Sequence, residues 1–172
     1  MGGVGPGISR SAKGILIVRH RLGFISANAG IDLSNAAPAE GCGGEWALLL
    51  PEAPDASARR LSQALSQQLG ARVAVVISDS HGRPFRLGSV GIALGAFGLP
   101  PLVDHAGRVD LDGRPLLHTA TALADQVACA ADLLLGQADE ARGAAWVQGI
   151  EATWCEDGAT ALLRPRDQDL YA

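Results

Sequence analysis

The sequence is poor in aromatic residues, in basic residues and in long apolar runs, and each shortage excludes a class of protein. Aromatic side chains make up 4% of the 172 residues, so the 48% of hydrophobic residues must form a core of small aliphatic side chains. The net charge of −4 gives no basic surface for nucleic acid or an anionic membrane. No apolar run approaches the roughly 18 residues of a membrane span. We therefore expect a globular protein with neither nucleic-acid nor membrane partners.

Paired metal-binding or disulfide-forming residues are also lacking. Cys42, Cys129 and Cys155 are widely spaced and contain no CxxC pair, which argues against a disulfide framework and a zinc knuckle. The histidines show no HxH or HxxxH spacing, so a zinc site is disfavoured. Residues 1–14 lack the continuous apolar core of a signal peptide. These absences favour a reducing, cytoplasmic location.

The apolar patterns predict helices and strands within a single domain over residues 1–172, with no internal boundary. The clearest helix covers 54–70, beginning with Pro54 and Asp55 and ending on Gly70, and a second covers 119–136. Strands are predicted at 15–20, 46–50, 71–80 and 144–154, whereas the glycine-dense segment 88–102 fits a strand or a tightly packed loop. Strand, helix and strand in succession favour an α+β or α/β fold with a mixed sheet.

The stretch VVISDSHGRPF at 75–85 passes from an apolar strand into polar chemistry. Asp79 and Ser80 follow the apolar residues, and Arg83 and Arg86 come close behind. The end of a buried strand is a common ligand site in α/β sheets, and guanidinium groups bind phosphate or carboxylate in bidentate fashion. Asp, Ser and Gly are also turn formers, so on motif shape alone a plain turn has about half of the weight.

A second polar stretch, SANAGIDLSN at 26–35, offers side-chain oxygens from Asn28, Asp32, Ser34 and Asn35. Hard cations such as Mg²⁺ and Mn²⁺ need oxygen donors of this kind. Asx turns and helix caps use the same residues, so a structural role keeps about two chances in three.

A third stretch, GQADEAR at 136–142, follows the second predicted helix. Gly136 is the expected helix end, and Asp139, Glu140 and Arg142 fit solvated surface charges. Gln137 has an oxygen that could bind a metal, although nothing in the pattern singles it out. No GxxxxGK[ST] loop is present, so the common phosphate-binding fingerprint does not apply.

Taken in order, the blocks GFISANAGIDLSN, VVISDSHGRPFRLG, GRVDLDGRPL and LLLGQADE closely resemble the coenzyme F420-0:L-glutamate ligase family, over about residues 15–171. Members of that family add γ-linked glutamate to a deazaflavin cofactor. The resemblance implies an α+β fold with a mixed sheet and packed helices, in a cytoplasmic homodimer. It implies GTP, L-glutamate and F420-0 or a related acceptor as ligands, and Mg²⁺ or Mn²⁺ as cofactor, with K⁺ as an additional candidate. Family members carry a further segment before the strand at 15–20, which this chain is expected to lack.

The resemblance also implies site residues in the three polar stretches. The divalent metal would be held by Asp32, Asp79, Ser80 and Gln137. The nucleotide would contact Asn35, Gly136, Gln137, Ala138, Asp139, Glu140 and Arg142. Arg83 and Arg86 would meet oxyanions of the nucleotide or substrate. No catalytic residue is assigned, because the implied chemistry needs no covalent enzyme nucleophile.

The implied reaction has two steps: GTP phosphorylates the terminal carboxylate of the cofactor precursor, and the amine of L-glutamate attacks the acyl phosphate. The block DSHGRPFRLG at 79–88 departs from the DTFGRPWRNG of many family members, which leaves the substrate contacts open. The alternative is a non-catalytic remnant, or a nucleotide- or metal-binding domain, that keeps the fold without turnover.

Overall fold

The structure is a computed structural model that describes residues 7–12, 14–36 and 44–168. By the contacts among its residues the chain divides into two compact units, Met1–Glu52 and Ala53–Ala172. The prediction of a single domain over 1–172 concerns independent folding, which a division by contacts does not test. It stays a prediction.

The first unit contains an antiparallel sheet in the order β1-β2-β3. Its strands are β1 (Gly7–Ala12), β2 (Ile15–Arg19) and β3 (Ile25–Ala27), followed by a 3-10 turn at Asn28–Gly30. β2 confirms the strand predicted at 15–20, and β1 lies in the glycine-rich lead for which no element was expected. The prediction of a strand at 46–50 is wrong. Leu48 forms only an isolated bridge with Asp32, in which each residue donates its N–H to the carbonyl of the other.

The second unit carries both helices. Its elements are α1 (Pro54–Leu69), β4 (Val75–Gly82), β5 (Ser89–Phe97), β6 (Val103–Asp104), β7 (Ala120–Thr121) and α2 (Leu123–Leu135). Pro54 fixes the backbone at the start of α1, and Gly70 ends it in the left-handed conformation at φ 64°. The first predicted helix is confirmed at both ends. The second is confirmed with a later start, because Ala120–Thr121 pair with β6 instead.

Two strand predictions in the second unit need correction. The strand predicted at 71–80 begins at Val75 and continues to Gly82. The strand predicted at 144–154 is absent, although these residues are described. Trp154 packs edge-on against Phe97, with ring centroids 5.7 Å apart, and so contributes to packing without joining a sheet. The α+β class is confirmed; the strand pairs of the described residues are all antiparallel, whereas a mixed sheet was expected.

The two helices cover opposite faces of the β4–β5 pair. A Cβ atom at Gly95 would meet the backbone of the first residue of α1, and one at Gly91 would meet the backbone of α2 at Ala128. Gly95 pairs with Ile77 and Gly91 with Ser80. Ile77 and Ser80 are three residues apart in β4 and lie on opposite faces, and each glycine shares the face of the residue it pairs with. A shift of register between Ile77 and Ser78 is the reason that Gly91 and Gly95, four residues apart in β5, do not share a face. Glycine therefore lets each helix approach its own face closely.

The core is built from small aliphatic side chains, as the composition predicts. Its buried residues are Ala96, Leu99, Ala124 and Ala159, with partly buried neighbours that include Val76 and Val127. In α1 the buried residues are Pro54, Ala58 and Ser62, whereas the leucines of the same helix are exposed. The Ser62 hydroxyl donates a hydrogen bond to the Val73 carbonyl, which satisfies it inside the fold.

Each helix also presents an aspartate from its first turn to the backbone of β5. Oδ1 of Asp55 in α1 accepts hydrogen bonds from the Ala96 N–H at 2.9 Å and the Ala159 N–H at 2.8 Å. Oδ1 of Asp125 in α2 accepts from the Ala93 N–H at 2.8 Å. The carboxylates thus join helix, strand and the 3-10 turn at Ala159–Leu162 through charge-assisted bonds.

Within the described ranges no helix is long and apolar enough to cross a membrane. Cys129 and Cys155 are free thiols, and the Cys129 thiol donates to the Gly91 carbonyl at 3.0 Å. Cys129 is half-buried on α2. Cys42 lies outside the described residues.

Candidate functional site

Asp79 and Ser80 lie within β4 and not at its end. The predicted strand, buried on both faces, was expected to end with this acid and hydroxyl, but β4 continues past them to Gly82. From Ser78 onward exposed and half-buried residues alternate. In this half of β4 the residues on the α2 side are open to solvent, and polar residues can therefore continue the strand.

Asp79 and Ser80 point to opposite faces of the β4–β5 pair, because successive side chains of a strand alternate. Asp79 shares the face of Ile77, which α1 covers, and Ser80 lies on the face of α2. Oδ1 of Asp79 accepts a hydrogen bond from the Ser80 N–H at 2.9 Å. His81 shares the face of Asp79, because the two residues are two positions apart in β4.

Arg83 and Arg86 have different surroundings in the hairpin tip, which we define as residues 83–88 between β4 and β5. Nη2 of Arg83 donates to the Leu87 carbonyl at 3.2 Å. Its Nε is buried and has no hydrogen-bond partner in the part of the chain that the structure describes. Arg86 is exposed. The two arginines, which the sequence gives no reason to distinguish, therefore differ in burial and in hydrogen bonding.

Asp32, in the first unit, is held in an Asx turn. Its Oδ1 accepts from the Ser34 N–H at 2.8 Å and from the Ser34 hydroxyl at 2.7 Å. These bonds lower the pKa of the Asp32 carboxyl below its ordinary value, so it is ionised at neutral pH. This is the Asx turn that the structural alternative for 26–35 expects. An ionised carboxylate also suits a hard cation.

Left-handed backbone is concentrated around Asp32. Asn28, Ala29 and Asn35 have φ of 49°, 57° and 49°. Oδ1 of Asn28 accepts a hydrogen bond from the Leu16 N–H at 3.1 Å, which ties the 3-10 turn to β2. Asparagine tolerates this conformation well, whereas alanine adopts it at a cost in backbone strain. Local preference therefore suits the two asparagines, and the bond between Asn28 and Leu16 helps to hold the turn at the strained Ala29.

The 136–142 loop begins where α2 ends at Leu135. Gly136 has φ 81° and ψ 176°, a backbone conformation essentially restricted to glycine. Nε2 of Gln137 donates to Oδ1 of Asp132 at 2.6 Å, which turns its amide oxygen away from that carboxylate. The predicted oxygen ligand is thus fixed in orientation by a neighbouring turn of helix.

The rest of this loop is folded on itself. Oε2 of Glu140 accepts from the Ala138 N–H at 2.9 Å, and this bond is the main reason that the pKa of the Glu140 carboxyl lies below its ordinary value. Nη1 of Arg142 donates to the Leu134 carbonyl at 2.7 Å. Asp139 is exposed. The surface charges expected here are present, and two of the three also stabilise the loop.

The 136–142 loop lies at the hairpin-tip end of the second unit. Asp125 of α2 bonds to Ala93 of β5, and Ala128 lies against Gly91, so α2 runs antiparallel to β5. Its last turn therefore points toward the start of β5, where the hairpin tip joins the strand. Ser80 and the loop that carries Gln137 share this end and this face.

The implied metal ligands belong to both units: Asp32 to the first, and Asp79, Ser80 and Gln137 to the second. Among the residues described, no group of three or more His, Cys, Asp or Glu side chains is arranged to hold a metal ion. The implied set contains only two carboxylates, so that observation does not decide its role. The metal and nucleotide assignments stay predictions.

The fold and its polar stretches define a class: an α+β protein whose three polar stretches present carboxylate, hydroxyl, amide and guanidinium groups. The model of the F420-0:Gamma-glutamyl ligase family matches residues 7–149. The chain therefore belongs to the F420-0:gamma-glutamyl ligase family.

Curated relatives carry the name "Coenzyme F420:L-glutamate ligase". The protein of Methanothermobacter thermautotrophicus is 42% identical over 168 residues, and that of Methanopyrus kandleri is 45% identical over 168 residues; each match covers 95% of this chain and 64% of the relative. The protein of Methanocaldococcus jannaschii is 37% identical over 164 residues, which cover 95% of this chain and 63% of the relative. The chain thus spans somewhat less than two thirds of the length of these relatives.

Proposed function

We propose that this chain acts in the ligation of L-glutamate, in γ-linkage, to the deazaflavin precursor F420-0 or a related acceptor, with GTP as co-substrate. The observation that carries the proposal is the family match over residues 7–149, joined to relatives whose names specify an F420:L-glutamate ligase. The polar stretches at 26–35, 75–85 and 136–142 all lie within that match. The fold would then be that of the family.

The reaction proceeds in two balanced steps. A carboxylate oxygen of the acceptor attacks the γ-phosphorus of GTP, the bond to the β,γ-bridging oxygen breaks, and GDP leaves. The amine of L-glutamate then attacks the acyl carbon, inorganic phosphate leaves with the electrons of the C–O bond, and the amine nitrogen releases its proton as the amide forms. Such chemistry depends on positioning and on stabilisation of developing charge.

A divalent ion, Mg²⁺ or Mn²⁺, would neutralise charge on the transferred phosphoryl group when bound. Asp32, Asp79, Ser80 and Gln137 are the residues that would hold it, and every candidate ligand atom is oxygen, as such an ion requires. The Gln137 amide nitrogen is held by Asp132, which leaves the amide oxygen as the ligand atom. The side chains of Asp79 and Ser80 leave β4 on opposite faces, so the two residues would approach one ion from different sides of the strand. K⁺ is the additional candidate ion.

The protein groups would position the nucleotide and the carboxylates. Asn35 and the 136–142 loop would contact GTP, where the loop offers backbone N–H groups and the guanidinium of Arg142. One of the two arginines of the hairpin tip, Arg83 or Arg86, would meet an oxyanion of the substrates. A homodimer and a cytoplasmic location complete the proposal, and light scattering tests the first.

The test incubates the full chain with F420-0, L-glutamate, GTP and Mn²⁺ and follows the acceptor by mass spectrometry. We expect the acceptor mass to increase by one glutamate residue, with one GDP and one phosphate formed per bond. Omission of Mn²⁺, or of GTP, is the matched control and should abolish the product. Metal-dependent GTP binding without product would favour the non-catalytic binding domain, and the absence of both would refute the proposal.

A further inference from the structure

The hairpin tip at 83–88 combines features that folded proteins normally avoid. Phe85 adopts a left-handed backbone conformation at φ 61°, which costs a bulky residue steric strain. The side chains of Phe85 and Leu87 are 90% and 99% exposed, so they are not packed against a core. A strained tip with unburied apolar side chains is the kind of segment that changes conformation when a ligand binds.

Arg83 carries the most unusual polar group of this tip. Buried donors are almost always hydrogen-bonded, yet its Nε finds no partner among the described residues. The same guanidinium reaches the Leu87 carbonyl at 3.2 Å, at the long end of the usual range. One donor is thus weakly engaged and another unsatisfied, whereas a carboxylate or phosphate could accept from Nε and Nη2 together.

Arg83 also lies close along the chain to a proposed metal ligand. It follows Gly82, the last residue of β4, and is four residues from Asp79. Arg86 lies three residues further along, exposed to solvent, and so lacks a fixed orientation from burial. We propose that Arg83, and not Arg86, is the arginine that binds the oxyanion of a substrate, by exchanging the Leu87 carbonyl for it as the tip rearranges. This inference rests on the proposed function.

The test compares wild type with Arg83→Lys and Arg86→Lys. Lysine keeps the charge but loses Nε and the planar fork, so the two variants differ only in which guanidinium is removed. Each protein is titrated by calorimetry with GTP in the presence of Mn²⁺, with L-glutamate, and with inorganic phosphate, which separates the possible sources of the oxyanion. For at least one ligand we expect Arg83→Lys to weaken binding by about tenfold or more, and Arg86→Lys by less than about threefold.

Melting temperatures control for a purely structural role. If Arg83 only ties the tip to Leu87, Arg83→Lys should lower the melting temperature without changing any affinity, and the inference is overturned. Should Arg83→Lys fail to fold, Arg83→Gln keeps a donor for the Leu87 carbonyl and must show the same loss of affinity. Equal effects of the two lysine variants would also overturn the inference.

The three titrations distinguish failure of this inference from failure of the proposed reaction. Phosphate binding that depends on Arg83, without binding of GTP or L-glutamate, would sustain the role of Arg83 and refute the proposed function. Binding of GTP and L-glutamate that is unaffected by Arg83→Lys would refute the role of Arg83 and leave the proposed function standing. A wild type that binds none of the three ligands would refute both.

Discussion

Asp55 is expected to be among the most costly single residues to replace, because one carboxylate oxygen serves two buried N–H groups. The donors belong to Ala96, 1% exposed, and Ala159, 3% exposed, so water cannot readily take the place of the carboxylate. Hydrogen bonds to charged groups contribute about 1.5–3 kcal/mol each. Truncation by Asp55→Ala removes two of them and should destabilise the fold by at least about 3 kcal/mol.

Asp125 provides a comparison, because it makes one hydrogen bond of the kind that Asp55 makes twice. Its Oδ1 accepts a single bond, from the half-buried Ala93 N–H, so Asp125→Ala should cost about half as much as Asp55→Ala. Asp55→Asn keeps an acceptor oxygen and loses only the charge assistance. It should therefore fall between wild type and the alanine variant, and it provides a foldable form if the truncation is too severe.

Urea unfolding followed by circular dichroism measures these differences, with the free energy of unfolding extrapolated to water. A total stability of about 5–15 kcal/mol is usual, so a loss of 3 kcal/mol is readily detected. A change of less than about 1 kcal/mol in the free energy of unfolding for Asp55→Ala, or a larger loss for Asp125→Ala than for Asp55→Ala, would contradict the role given to the two hydrogen bonds of Asp55.

Three further predictions concern single residues. Asp79→Asn should weaken Mn²⁺-dependent GTP binding by more than about tenfold, while the free energy of unfolding without metal stays within about 1 kcal/mol of wild type. An unchanged GTP affinity would show that Asp79 is not a metal ligand. Gly91→Ala places a Cβ atom 2.6 Å from a backbone oxygen of α2 and should destabilise by about 1–3 kcal/mol, whereas Gly82→Ala meets nothing within 4 Å; equal effects would contradict the packing described. Burial, and then the charge of Arg21, lowers the pKa of His20 below its ordinary 6.5. Stability present above pH 6.5 should therefore be lost as pH falls through the lowered pKa, and an NMR titration midpoint at or above 6.5 would contradict this.

The helices could be predicted because their signals are local. Pro54 and Gly70 fix the two ends of α1 through their own backbone preferences, and Gly136 marks the end of α2. The buried face of α1 could not be predicted in the same way. Ala58 and Ser62 are buried and Leu61 is exposed, because the close approach of α1 to Gly95 admits small side chains only.

The strands were harder, since a strand exists only where another strand pairs with it. The apolar residues at 46–50 and 144–154 look like strands, but the first forms one bridge and the second forms no ladder. The site shows the same limit. Motifs identified Asp79 and Ser80, whereas the face to which each points depends on the register of β4 against β5, which the sequence leaves open.

The aspartates at the starts of α1 and α2 have a consequence for association between chains. Among the described strands β5 pairs with β4 alone, and a strand with a free side is a template to which foreign chains can add. Asp55 and Asp125 reach that side from opposite faces and occupy the N–H groups of Ala96 and Ala93 with negative charge. An incoming strand would have to displace two carboxylates before its own carbonyls could bind. The two aspartates at the helix starts therefore protect the free edge of β5 against aggregation. Loss of either one should favour β-pairing between chains at concentrations at which the wild type does not aggregate.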